Sequence, residues 1–148
     1  MESHNISINR KARYNYEILE TYEAGLVLTG TEIKSIRSGN ANMADAYAHA
    51  DGGELWLRNL HISQYAASSS NHHPTRTRKL LLRRSQIIEL THNIGARGLT
   101  VVPLKLYLKN GLAKIELALG RGKKRYDKRQ TIIERDRKRE ADRAIKNR

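Results

Sequence analysis

Cysteine is absent from this chain of 148 residues, and phenylalanine with it. Without thiols there is no disulfide and no thiolate zinc site, which fits a reducing compartment. No apolar run approaches the roughly 18 residues that a membrane-spanning helix needs. Met1-Glu2-Ser3-His4 is not followed by the apolar core of a signal peptide. The expectation is a soluble, intracellular, cytoplasmic protein. Catalytic constellations are missing as well. Asp45, Glu54, Glu89 and Glu116 fall on separate elements, with no spacing that makes an acid–base pair. No Gly-rich loop is built to cradle a phosphate. His72-His73 sits in a Ser-rich loop, where adjacent histidines are more often solvated than metal-bound. The chain is expected to be no enzyme and to hold no metal or cofactor.

What is there is positive charge. The formal net charge is +13 and the isoelectric point about 10.3. Residues 121–148 hold 13 Lys and Arg against 5 Asp and Glu, and the first 120 hold 15 against 10. A tail so basic attracts polyanions, nucleic acid before membrane, because it lacks the Trp, Leu and Phe an interfacial helix would bury. With 39% hydrophobic residues the rest is long enough to build one core. The reading is a folded body, residues 1–120, and an appendage, residues 121–148.

Within the body, residues 1–8 read as a loose lead-in. Tyr16 to Tyr22 alternates like a strand, and Gly25 suggests a bulge or bend before Leu26-Val27-Leu28. Gly30-Thr31 opens a short helix, with Thr31 as cap, Ile33 and Ile36 on one face and Gly39 ending it. Ala44, Ala46, Ala48 and Ala50 alternate toward the turn Asp51-Gly52-Gly53, and Glu54 to Arg58 returns. Residues 63–75 read as an exposed loop. A second helix starts at Ser85 with Ile87, Ile88 and Leu90. The last hairpin runs Leu99–Leu108 and Leu112–Leu119, with Leu104, Leu106 and Leu108 on one face. This pattern predicts a mainly β body: a small closed antiparallel barrel of the oligonucleotide-binding (OB) type with two or three short helices. An open α+β sandwich is the alternative that periodicity leaves open.

The tail has too little apolar surface to fold alone. Yet Arg121, Arg125, Lys128, Ile132, Arg135, Arg139, Arg143 and Lys146 step by three or four, so a helix would carry a basic stripe. The expectation is a segment disordered when free and helical along phosphates, with Gly120 and Gly122 as a flexible root. In the body, Arg10, Lys11 and Arg13 with Arg76, Arg78 and Lys79 are expected to form one phosphate-binding face. Tyr126, the aromatic among the tail's cations, either stacks on an unpaired base or packs back on the body. Glu23 beside Gly25 either accepts from a base edge or caps a turn.

Four stretches carry a resemblance: Asn9-Arg10-Lys11-Ala12-Arg13-Tyr14-Asn15-Tyr16, Glu23-Ala24-Gly25-Leu26-Val27-Leu28-Thr29-Gly30-Thr31-Glu32-Ile33-Lys34-Ser35, Pro74-Thr75-Arg76-Thr77-Arg78-Lys79-Leu80-Leu81-Leu82 and Gly122-Lys123-Lys124-Arg125-Tyr126-Asp127-Lys128-Arg129. In this order they resemble the SsrA-binding protein family, small protein B, from about Ile8 to the end. The resemblance implies an OB-type barrel that binds the tRNA-like domain of transfer-messenger RNA (tmRNA), one copy per RNA. It also implies a tail that enters the empty message channel of a stalled ribosome. The expected tmRNA contacts are Asn9, Arg10, Lys11, Arg13, Glu23, Lys34, Arg76, Arg78, Lys79, Leu81 and Arg83, of which Glu23 and Leu81 match family residues implicated in RNA binding. The expected decoding-centre contacts are Lys123, Lys124, Tyr126, Asp127, Lys128 and Arg129, with Arg135 and Arg139 further along; of these the resemblance matches Tyr126, Asp127, Lys128 and Arg129. Arg83 stands where the family usually has His or Asn, and Gln64 replaces a Pro common before Tyr65. The alternative function is a general OB-type translation factor or another ribosome-associated RNA-binding protein.

Overall fold

Nine strands and four helices follow the chain in the computed structural model, which describes residues 3–68, 70–123 and 125–146. They are β1 (Ser3–Ile8), α1 (Arg10–Asn15), β2 (Tyr16–Leu26), α2 (Gly30–Arg37), β3 (Ala41–Asn42), β4 (Tyr47–Asp51), β5 (Glu54–Arg58), β6 (His61–Ile62), β7 (Arg78–Leu81), α3 (Arg84–Gly95), β8 (Thr100–Lys109), β9 (Leu112–Gly122) and α4 (Arg125–Lys146). Seven strands form one antiparallel sheet in the order β1-β8-β9-β2-β7-β5-β4, and β3 pairs with β6 beside it.

The predicted hairpins form, and their turns show why. Asn110 and Gly111 both have positive φ, 54° and 77°, as do Gly52 and Gly53 at 59° and 77°. Two positive φ values in a two-residue connection give the turn whose twist matches the strands. Along β4 and β5, Ala48, Leu55 and Leu57 are buried, and Leu80 of β7 joins them. The sheet curls around this core, which Ile36 of α2 and Ile87 and Leu90 of α3 complete.

The curl brings Tyr47 of β4 against a second cluster of Ala12, Val102, Leu104 and Ala118 outside the β8–β9 ladder. Among the described residues no ladder joins β4 to β8 or β1, so the expected closed barrel is an open, curled sheet. Beyond the end of β1 the chain keeps bonding to β8. Asn9 N–H donates to Leu104 O at 2.7 Å, and Asn9 Nδ2 donates to Pro103 O at 2.9 Å and to Met43 O at 3.4 Å. Pro103 itself has no N–H to offer a neighbouring strand.

Four local expectations change. Residues 3–8 are a strand, paired from Ser3↔Lys109 to Ile8↔Lys105, not a loose lead-in. The irregularity in β2 lies between Ile18 and Glu20, while Gly25 is a regular ladder residue opposite both Lys114 and Leu81. Thr29, not Thr31, caps α2, in a capping box with Glu32. A bulge between Pro103 and Lys105 turns Leu104 into the second cluster, away from Leu106 in the main core.

The root of the tail also differs. Gly120 pairs with Ile18 and Gly122 with Tyr16, so both glycines belong to β9 rather than to a flexible root. A Cβ on Gly120 would stand 3.0 Å from Tyr16 Cβ, so glycine here allows close packing. Beyond β9, Lys123 N–H donates to Asn15 O at 2.9 Å, and α4 begins at Arg125. The tail, expected to be helical along phosphates, forms a 22-residue helix whose first turns lie against α1. No described helix is long and apolar enough to cross a membrane.

Candidate nucleic-acid interface

The basic cluster of β7 is split by the alternation of the strand. Arg78 points into the core and its side chain has 0% exposure, as does that of Glu32. Its Nε donates to Glu32 Oε2, Nη1 donates to Leu60 O at 2.6 Å and Nη2 to Pro74 O at 3.1 Å. Glu32 Oε1 accepts from Arg76 Nη2 at 2.5 Å and from Thr29 N–H at 2.9 Å. Burial pushes the Glu32 carboxyl up, but Arg76, Thr29 and Arg78 more than offset this and hold it below the ordinary carboxylate range. Burial lowers the Arg78 guanidinium, yet an arginine remains charged. Arg78 is therefore a structural cation that ties α2 to the chain at Leu60 and Pro74, not an RNA contact. Asn9 leaves the predicted face for the same reason, being buried with its amide spent on backbone carbonyls.

The solvated-loop reading of His72 also fails. The residue is buried, with Nδ1 2.8 Å from Thr31 Oγ1 and Nε2 2.9 Å from Ile62 O. A carbonyl only accepts, so Nε2 donates to Ile62 O, while Nδ1 shares a hydrogen bond with the threonine hydroxyl. His73 remains exposed.

The remaining cations fall into two groups rather than one face. Arg10, Lys11 and Arg13 are exposed on α1, immediately before the start of β2. Lys79, paired with Glu54 at 3.9 Å, and Arg76 lie near the other end of β2, where it meets β7. Nine strand steps from Tyr16 to Gly25 span about 30 Å. Lys34 is exposed on α2, its Nζ 5.4 Å from the centre of the Tyr65 ring.

Glu23, Leu81 and Arg83 do converge. They line an open depression of about 570 Å³, with Gly25 and Gln86 and with Lys114 on β9. Gly25 pairs with Leu81 on one side and Lys114 on the other, and a Cβ there would come 3.2 Å from Leu81 Cβ. Leu81, left 52% exposed, offers an apolar surface beside charge. Glu23 Oε2 accepts the O–H of Tyr107 and lies 3.6 Å from Lys109 Nζ. The Tyr107 hydrogen bond, aided by Lys109 and Lys114, holds Glu23 below the ordinary carboxylate range. Burial, then acceptance by Glu23, pushes the Tyr107 phenol up, so it stays a donor. Among the described residues Oε1 has no protein partner, leaving an oriented acceptor for an amino N–H, as a base edge presents. Tyr107, Lys109 and Lys114 were not singled out from sequence. Their signal was the polar side of the last hairpin's alternation.

In the tail, Lys123 donates through Nζ to Arg13 O at 3.0 Å and also to Thr131 Oγ1. Lys128 Nζ lies 5.7 Å from the centre of the Tyr14 ring. Arg129, Arg135 and Arg139 are exposed along α4, and Tyr126 and Asp127 fall in its first turn. Lys124 lies outside the described residues.

The profile of the family described as SmpB protein matches residues 6–147. The SsrA-binding protein of Desulfitobacterium hafniense (strain DSM 10664 / DCB-2) is 57% identical over 143 residues, covering 96% of this chain and 92% of that one. The SsrA-binding protein of Trichormus variabilis is 56% identical over 144 residues, covering 96% and 93%. A solved structure described as "tmRNA-SmpB: a journey to the center of the bacterial ribosome" superposes with a TM-score of 0.68 at 45% identity, covering 85% of this chain and 93% of that one.

Proposed function

The chain belongs to the SmpB protein family, and from that premise we propose that it is the RNA-binding adaptor of trans-translation. It binds the tRNA-like domain of tmRNA, accompanies it to ribosomes stalled without a stop codon, and enables rescue and tagging of the incomplete polypeptide. It acts in the cytoplasm as one copy per RNA, and performs no chemistry itself. In this reading the curled sheet is an OB-type barrel, open at the seam between β4 and β8.

The observation that carries the proposal is the convergence of Glu23, Leu81 and Arg83 on one depression with Lys114. An acceptor, an apolar patch and two cations there suit a non-duplex RNA elbow, whose exposed bases present edges and faces together. The tail takes the second role. Lys123, Lys124, Tyr126, Asp127, Lys128 and Arg129 enter the decoding centre, and Arg135 and Arg139 follow along the message channel. There the phosphates of the ribosome complete an ordering that the isolated tail cannot sustain.

A gel-shift comparison of tmRNA with an ordinary tRNA at fixed salt tests the reading. Preferential binding of tmRNA is expected; equal binding of the two RNAs defeats it.

A further inference from the structure

A cavity of about 390 Å³ opens where α1, the β8–β9 ladder and α4 meet. Arg10 and Arg13 line it from α1, Lys105 and Glu116 from the two strands, and Arg135 from α4. The single carboxylate is already 3.8 Å from Lys105. None of the three arginines has a carboxylate within salt-bridge reach among the described residues. The three arginines are exposed, and with Lys105 they set four cations against one carboxylate around the space, a balance that favours an anion. Their planar forks suit the oxygens of a phosphate.

The approach of α4 is not left to chance. Lys123 ties its root to Arg13 O and Asn15 O, and Lys128 sits over Tyr14. Arg135 follows Lys128 by two helical turns and so lies on the same face. The sequence assigned Arg10 and Arg13 to one partner and Arg135 to another; the fold puts them around one cavity.

We infer that this cavity is a phosphate site shared by body and tail, filled by a phosphodiester of the RNA that the body binds. The bound phosphate holds α4 against α1 before the ribosome takes up the tail. The inference rests on the RNA-binding reading above and adds to it a role for Arg135 away from the ribosome.

The test uses the full-length protein and a transcript of the tRNA-like domain, without ribosomes. Binding is measured across salt concentrations for wild type, Arg13→Gln, Arg135→Gln, the double variant and Lys138→Gln. Lys138 is exposed on α4 and does not line the cavity. Arg135→Gln is expected to weaken binding about 5-fold and to reduce the salt slope by about 1. The double variant should lose less than the product of the two single effects, since both arginines serve one phosphate. Lys138→Gln should bind as wild type.

Wild-type affinity and slope in Arg135→Gln, or an equal loss in Lys138→Gln, would overturn the inference. A fully multiplicative double variant would do the same. In each case the body's preference for tmRNA over an ordinary tRNA stands or falls separately. A second arm follows tryptic cleavage within α4. Protection by the transcript but not by millimolar inorganic phosphate is expected; protection by inorganic phosphate alone would make a free anion the ligand and overturn the RNA assignment.

Discussion

Arg78 can occupy the core because Glu32 meets it there, each side chain with no exposed surface. The pair is the centre of a network in which one carboxylate serves two arginines and the capping amide of α2. Such a pair is weak evidence for stability taken whole, but strongly destabilising when halved. Glu32→Gln is expected to lower stability by about 3–5 kcal/mol, since it leaves the buried guanidinium uncompensated. Glu32→Leu combined with Arg78→Met should cost less than Glu32→Gln alone. Denaturant melts of the three proteins decide it, and a double variant less stable than the single one would contradict this account.

The same pair sets an acid limit. A carboxyl whose folded pKa lies below its unfolded value stabilises fully above the unfolded value, near 4.3 for glutamate. That contribution is lost as pH falls through the folded value, which here is depressed. Melting temperature should therefore fall steeply below about pH 4, and the fall should be shallower in Glu32→Gln. Parallel melting curves for the two proteins across pH 3 to 6 would show that other carboxylates govern acid unfolding.

Glu23 and Leu81 offer a test of the RNA face that spares the core, because both are exposed. Glu23→Ala with Leu81→Ala should weaken tmRNA binding at least about ten-fold, one charged contact and one apolar contact being lost. Its thermal unfolding should remain cooperative. Tyr107→Phe removes the donor that most depresses Glu23. Its binding should begin to fail at a higher pH than wild type as the solution is acidified. An unshifted pH profile would mean that the tyrosine does not position Glu23.

Removing the tail needs a cut that respects β9, which runs to Gly122. A protein ending at Lys123 should keep tmRNA affinity within about ten-fold of wild type, the scale of a few lost phosphate contacts. Tagging on stalled ribosomes, measured in a reconstituted translation system, should disappear. Tagging at wild-type levels would remove the tail from the mechanism.

Much of this was legible in the sequence wherever a local rule applied. Asn110-Gly111 and Gly52-Gly53 demanded positive φ, so both hairpins were readable with their turns. Helical spacing pointed to Ile87 and Leu90, which are buried, but also to Ile88, which is 62% exposed. What failed depended on partners far along the chain. Residues 3–8 carry no strong strand pattern because only their pairing with β8 makes them a strand. Arg78 looked like its neighbours Arg76 and Lys79, since charge alone cannot say which side of a strand faces the core. The alternation with Leu80 held that information, and Glu32 held the reason. Glu23 and Leu81 were found through the family motifs; Lys114 needed the register of β2 with β9.

The pairing of Ser3 with Lys109 has a consequence in time. Once made, β1 waits for a partner synthesised roughly a hundred residues later, about 5–20 s at ordinary rates of elongation. A chain broken off before β8 leaves β1 unpaired and β9 unmade, so β2 lacks its main neighbour. A copy broken off before β8 therefore cannot assemble the sheet, whereas one that reaches Lys123 holds every strand of it.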